Sequence, residues 1–168
     1  NVLRMTATNA SAGTNTYQSC SYYVYPLSYT VTWTSIQLSS SIVGSIADYT
    51  LTAKNALSGG AGCANSCMPS GTSVTITFPA GTDASTAVLA GSTWNGTQIG
   101  SFTTLTATTV AFNTPAQVNQ NANFTVRIKA VTNPTSAGSF TTLSMVVSNA
   151  GTGTNTFQNA SYTVYAQP

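Results

Sequence analysis

Residues 124–131 read "FTVRIKAV". Apolar and polar side chains alternate one by one: Phe124, Val126, Ile128 and Ala130 against Thr125, Arg127 and Lys129. A period of two marks a strand with one dry face and one wet face. The spacing therefore predicts a strand here, with Ala130 on the inner side. The same period runs through "YTVTWTS" (29–35), where Tyr29, Val31 and Trp33 share a side. It recurs in "YTLTAKN" (49–55) with Tyr49, Leu51 and Ala53, and in "SVTITFPA" (73–80) with Val74, Ile76 and Phe78. "LSMVV" (143–147) aligns Leu143, Met145 and Val147, and "SYTVYA" (161–166) is a last run. Weaker runs lie near 86–90, 97–100 and 108–113, and no stretch carries a helical period.

The separators are turn formers: "SGGAG" (58–62), "PSG" (69–71), "PAG" (79–81), "WNG" (94–96), "NPTSAG" (133–138) and "NAGTGTN" (149–155). Short alternating strands at this spacing define an all-β chain. One dry face per strand means antiparallel sheets, because buried parallel strands read as continuous apolar runs. The expected fold is an antiparallel Ig-like β-sandwich over 26–168. Residues 1–25 form a separate N-terminal strand or hairpin segment.

Charge is nearly absent. Only 4% of the 168 residues are charged, namely Arg4, Lys54, Arg127, Lys129, Asp48 and Asp83, and His and Glu do not occur. Ordinary soluble proteins carry about 25%. A composition that is 42% hydrophobic and 10% aromatic argues against disorder. No run approaches the ~20 apolar residues of a membrane span. A net charge of +2 from scattered cations leaves no footprint for nucleic acid. No signal-peptide pattern precedes Asn1, which reads as a mature, processed start. With two carboxylate side chains, stability should barely respond to acid. An uncharged surface also favours association.

Most catalytic chemistry lacks its groups. General acid–base schemes need titratable side chains that converge. Asp48 heads a strand run and Asp83 sits in a turn, so both read as turn or cap residues rather than as a catalytic pair. No enzyme activity, cofactor or metal site is expected. Cys63 and Cys67 are four apart in "GCANSC" and read as a local disulfide; Cys20 is either a small buried side chain or an alternative partner. Asn9, Asn95, Asn123 and Asn159 each begin an Asn-x-Ser/Thr sequon, so N-linked glycans are expected partners. Lys54 and Lys129 fall on the outer parity of their strands, which argues against a buried isopeptide bond.

The chain also repeats itself. "LRMTATNASAGTNTYQSCSYYVY" (3–25) matches "LSMVVSNAGTGTNTFQNASYTVY" (143–165) at 13 of 23 positions, 140 residues downstream. Each copy reads as strand, Gly/Asn/Thr loop, and strand. Duplication within one domain would explain this, as would a tandem array with a period of one sandwich. Edge chemistry offers a further reading. Sandwich edges carry unpaired amides and carbonyls, and a strand from another chain can satisfy them. Leu3, Met5 and Ala7 keep the parity of Leu143, Met145 and Val147, as a donor strand would. One copy of the motif then completes its own fold and the other completes a neighbour's. Such head-to-tail contacts build filaments rather than closed rings.

The charge-poor Thr/Ser/Asn-rich chain, "TITFPAGT" (75–82) and "VTNPTSAGSF" (131–140) resemble prokaryotic cell-surface β-sandwich domains. The resemblance is to subunits of archaeal extracellular filaments of the thread and bundling-pilus type. It implies an extracellular glycoprotein fibre, a homopolymer joined by donor-strand complementation. The long apolar N-terminal helix of type IV pilins is missing. Two other functions stay open: an Ig-like repeat of an adhesin or surface-layer protein, and a carbohydrate-binding module. Trp94, in a turn, is the better stacking platform for the latter, and Trp33 reads as core.

Overall fold

The computed structural model describes residues 2–9, 13–21, 28–31, 33–55, 67–149 and 153–168, with side chains at 33–55, 67–148, 154–158 and 160–168. Two sheets pack as a sandwich. The larger orders β3 (Ser28–Val31), β13 (Gly153–Val164), β12 (Gly138–Asn149), β6 (Ser73–Thr77), β10 (Thr109–Asn113) and β9 (Phe102–Leu105). The smaller orders β4 (Trp33–Leu38), β5 (Ile46–Lys54), β11 (Asn123–Thr132), β7 (Val88–Trp94) and β8 (Thr97–Gln98). β1 (Val2–Asn9) and β2 (Gly13–Ser21) pair with each other in a third, two-stranded sheet. Among the described strands pairing is antiparallel except between β13 and β3.

The alternating side chains meet between the sheets. Tyr49, Leu51 and Ala53 of β5 and Phe124, Val126 and Ile128 of β11 face Val74 and Ile76 of β6 and Leu143, Met145 and Val147 of β12, all buried. Each large side chain removed from water contributes about 1.5–3 kcal/mol. An aromatic row runs through the core: Trp94 lies 4.7 Å from Phe124, Phe124 5.7 Å from Phe157, and Phe157 5.5 Å from Trp33.

Three expectations change. First, the run at 29–35 is not one strand. Its N-terminal half pairs with β13 and its C-terminal half with β5, so the chain changes sheets between Val31 and Trp33. Second, Ala130 does not continue the inner face of β11. Ile128 pairs with Tyr49 and Val131 with Ala47, leaving Lys129 and Ala130 opposite Asp48 alone. This β-bulge gives Ala130 a φ of 61° and returns Val131 to the core. Third, Asp48 is the third residue of β5 and holds that bulge. Its Oδ1 accepts the Ala130 amide at 3.2 Å, and its Oδ2 accepts from Arg127 Nη2 at 2.5 Å. The donated hydrogen bonds offset the unfavourable φ.

A buried polar knot closes one end of the sandwich. Asn133, fully buried just past β11, accepts the Tyr49 hydroxyl at 2.7 Å. Its Nδ2 donates to the Ser40 and Ile42 carbonyls at 2.9 and 3.0 Å, and its amide donates to the Ser45 carbonyl. That fixes the loop between β4 and β5. The same loop clasps the end of β13, because Tyr165 N–H donates to Ser41 O and Val43 N–H to Tyr165 O. Burial raises the Tyr49 phenol far above its usual range, and the neighbouring Tyr162 adds to that, so Tyr49 remains a donor to Asn133. Each partner orphaned in such a site costs about 1–3 kcal/mol. Asn133→Ala is therefore expected to lower stability by roughly 3 kcal/mol or more, and Tyr49→Phe by about 1–2 kcal/mol. Chemical denaturation measures both, and equal small losses would contradict the network.

Candidate functional site

The two related segments adopt the same hairpin. In β1–β2 the Cα partners are Leu3↔Cys20, Met5↔Tyr17, Thr6↔Thr16, Ala7↔Asn15, Thr8↔Thr14 and Asn9↔Gly13. In β12–β13 they are Leu143↔Ala160, Met145↔Phe157, Val146↔Thr156, Val147↔Asn155, Ser148↔Thr154 and Asn149↔Gly153. These six pairs are displaced by 140 residues, and both hairpins shift register after Leu3 and after Leu143; the seventh pair of β1–β2, Val2↔Ser21, has no counterpart, because β12–β13 also shifts between Phe140 and Leu143. β12–β13 sits inside the larger sheet, with β6 on one side. Among the described residues β1–β2 pairs with no other strand. A two-stranded sheet by itself is marginally stable in water.

The sandwich has an incompletely covered edge. β3 pairs with β13 only along Thr154–Phe157. Past that point the chain has crossed to the other sheet as β4. Among the described residues no strand pairs with this side of Gln158–Val164 until the Ser41–Val43 loop meets Tyr165. The crossing leaves a groove between β4 and β13. Two adjoining depressions, about 210 and 490 Å³, share Ile36. Trp33, Ser35 and Ala160 line one; Leu38, Tyr162 and Tyr165 line the other. Trp33 Nε1 is buried there without an acceptor, and Tyr165 is 59% exposed.

The remaining candidates scatter. Asn95 and Asn123 are exposed, whereas the side chains of Asn9 and Asn159 lie outside the described residues. Asn95 and Gly96 have φ of 49° and 83°, the left-handed pair that a tight two-residue hairpin between β7 and β8 requires. That turn presents the Asn95 sequon at its tip. Leu3, Met5 and Ala7 are placed in β1 by backbone register. Cys67 is buried and disulfide-bonded. With three cysteines in the chain, its partner is Cys20 or Cys63, and the Cys63–Cys67 pairing falls outside the described residues. Lys54 is exposed, and the stem of Lys129 lies over Gly91, where a Cβ would come within 2.8 Å of it.

Trp94 is no stacking platform. It is fully buried, with its Nε1 donating to Ala116 O at 3.0 Å. The turn begins one residue later than "WNG" suggests. Asp83 caps the short 3-10 turn at Ala84–Thr86 by accepting from Ser85 N–H. Among the described residues no three potential metal-ligating side chains cluster, and no helix is long and apolar enough to cross a membrane. The groove was missed from sequence because nothing in "YTVTWTS" marks the change of sheets; the only cue was the absence of a second run able to flank 158–164.

No family model matches the chain, and no curated protein does. Among solved structures, the chain is similar to BslA, a bacterial hydrophobin, at 19% identity and a TM-score of 0.47, over 83% of this chain and 95% of that one.

Two measurements follow from this geometry. Burial raises the Asp48 carboxyl, but the Arg127 hydrogen bond, the Ala130 amide and the charges of Arg127 and Lys129 outweigh it and hold it below its ordinary 3.8. A lowered folded-state pKa stabilises above the unfolded value and is lost as pH falls through the folded one. Melting temperature should thus fall slightly below about pH 4, by the roughly 1 kcal/mol or less of a half-exposed pair. Asp48→Asn should start lower at pH 7 and lose that slope; an unchanged slope would assign it elsewhere. Non-reducing peptide mapping should join Cys63 to Cys67, and a Cys20–Cys67 peptide would refute that pairing.

Proposed function

We propose that this chain is a structural building block of an extracellular surface filament, joined head to tail when the hairpin of residues 1–25 adds to the sheet of another copy. The observation that carries this reading is the register that β1–β2 and β12–β13 share over six pairs. A segment paired like a core hairpin, yet joined to no other strand among the described residues, has the form of a donor. The near-absence of charge removes the usual electrostatic barrier to self-association. Exposed Asn95 and Asn123 give glycans a place on the surface of such a fibre. The role is architectural, with no catalytic step and no cofactor.

The 140-residue period also favours a second reading, an Ig-like repeat of a longer adhesin or surface-layer protein in which this hairpin closes a preceding sandwich. Truncation separates the two. Removal of residues 1–8 should leave a folded monomer where the intact chain forms filaments, seen by negative-stain microscopy and size-exclusion chromatography. Filaments from the truncated chain would refute the donor role, and loss of folding would make the segment an internal strand.

A further inference from the structure

We infer that the receiving surface is the groove between β4 and the C-terminal half of β13, and that its occupant is the β1 strand of a second copy of this chain. The inference rests on the donor reading above and adds where the donor goes. Four observations converge on it. The side of β13 left uncovered by β3 spans Gln158–Val164, seven residues, and β1 has eight. At ~3.3 Å per residue both are about 25 Å long. β3 already pairs along this side of β13, so an added strand extends an existing row of backbone hydrogen bonds. Apolar side chains stand within reach of a donor strand, Ile36 and Leu38 on one wall and Ala160 and Tyr162 on the other, set among Ser35, Ser161 and Thr163, which leave the lining more polar than apolar. Finally, the Trp33 indole N–H is buried at this groove with no acceptor, which an incoming backbone carbonyl supplies.

In the complex β1 keeps β2 on one edge and offers its other edge to β13. Leu3, Met5 and Ala7 of that strand are the sequence counterparts of Leu143, Met145 and Val147, which are buried. The contact leaves the joined pair with one free hairpin, on the accepting copy, and one free groove, on the donating copy, so it propagates without closing.

The test uses full-length chains with one end disabled. Met5→Asp spoils the donor and leaves the groove intact. Ile36→Lys spoils the groove and leaves the donor intact, and Ser35→Arg does the same from the groove rim should Ile36→Lys fail to fold. Each variant should be monomeric in analytical ultracentrifugation. An equimolar mixture should form a dimer and nothing larger, since only one compatible pair of ends remains. Hydrogen exchange of the 158–164 amides should slow at least tenfold between the Met5→Asp monomer and the wild-type assembly. If the groove variants polymerise like wild type while Met5→Asp does not, or if the 158–164 amides are unchanged, the groove is the wrong acceptor and the donor reading survives. If Met5→Asp polymerises like wild type, the donor reading itself fails, and this inference with it.

Discussion

The sandwich depends on Asn133. In a chain with six charged side chains, buried uncharged hydrogen bonds must do what ion pairs do elsewhere. Asn133 has one acceptor and two donors, and the fold uses them all: Tyr49 on the acceptor, Ser40 and Ile42 on the amide. These partners belong to β5 and to the loop before it, while the loop in turn holds Tyr165 at the end of β13. One amide side chain thereby ties the smaller sheet to the larger. An aliphatic side chain of equal size would fill the space but leave three buried groups without partners, and at such a site the unmade bonds outweigh the packing gained.

Much of the architecture was legible because alternation is enforced by water. Tyr49, Leu51 and Ala53, or Val74 and Ile76, are buried as their spacing requires, since slipping a strand by one residue would expose the whole set. What was not legible is where the backbone departs from a regular strand. Ala130 lies in a run that reads as perfect, and its positive φ belongs to a bulge braced by Asp48, far away in sequence, which accepts its amide. Trp94 stood next to Asn-Gly and looked like turn, but the two left-handed residues are Asn95 and Gly96, so the indole remains strand and core. Asn133 read as a loop residue before proline; its role comes from a tyrosine 84 positions away.

The candidate site divides in the same manner. The hairpin was visible as a repeat, and its pairing follows from the repeat. The groove was not, because it arises where the chain leaves β13 after β3 and crosses to β5 as β4. Local sequence encodes which side chains face inward; it does not encode where one sheet runs out of strands. Low charge acts on both halves. It removes like-charge repulsion along an edge, a common device by which sandwiches keep edges from pairing.

The parallel pairing of β3 with β13 has a mechanical meaning. In a fibre built as proposed, load enters a subunit ahead of β3, through its hairpin, and leaves from the far half of β13, where the next subunit is held. Two adjacent parallel strands pulled in this way slide along each other. The ladder from Thr154↔Ser28 to Phe157↔Val31 is then loaded in shear, all its hydrogen bonds bearing force together, rather than peeled open one at a time. Rupture under tension is governed by the unfolding rate rather than by equilibrium stability. A ladder of four residues at the point where force crosses the subunit makes that rate, and so the tensile strength of the fibre, a property of one short strand contact in the larger sheet.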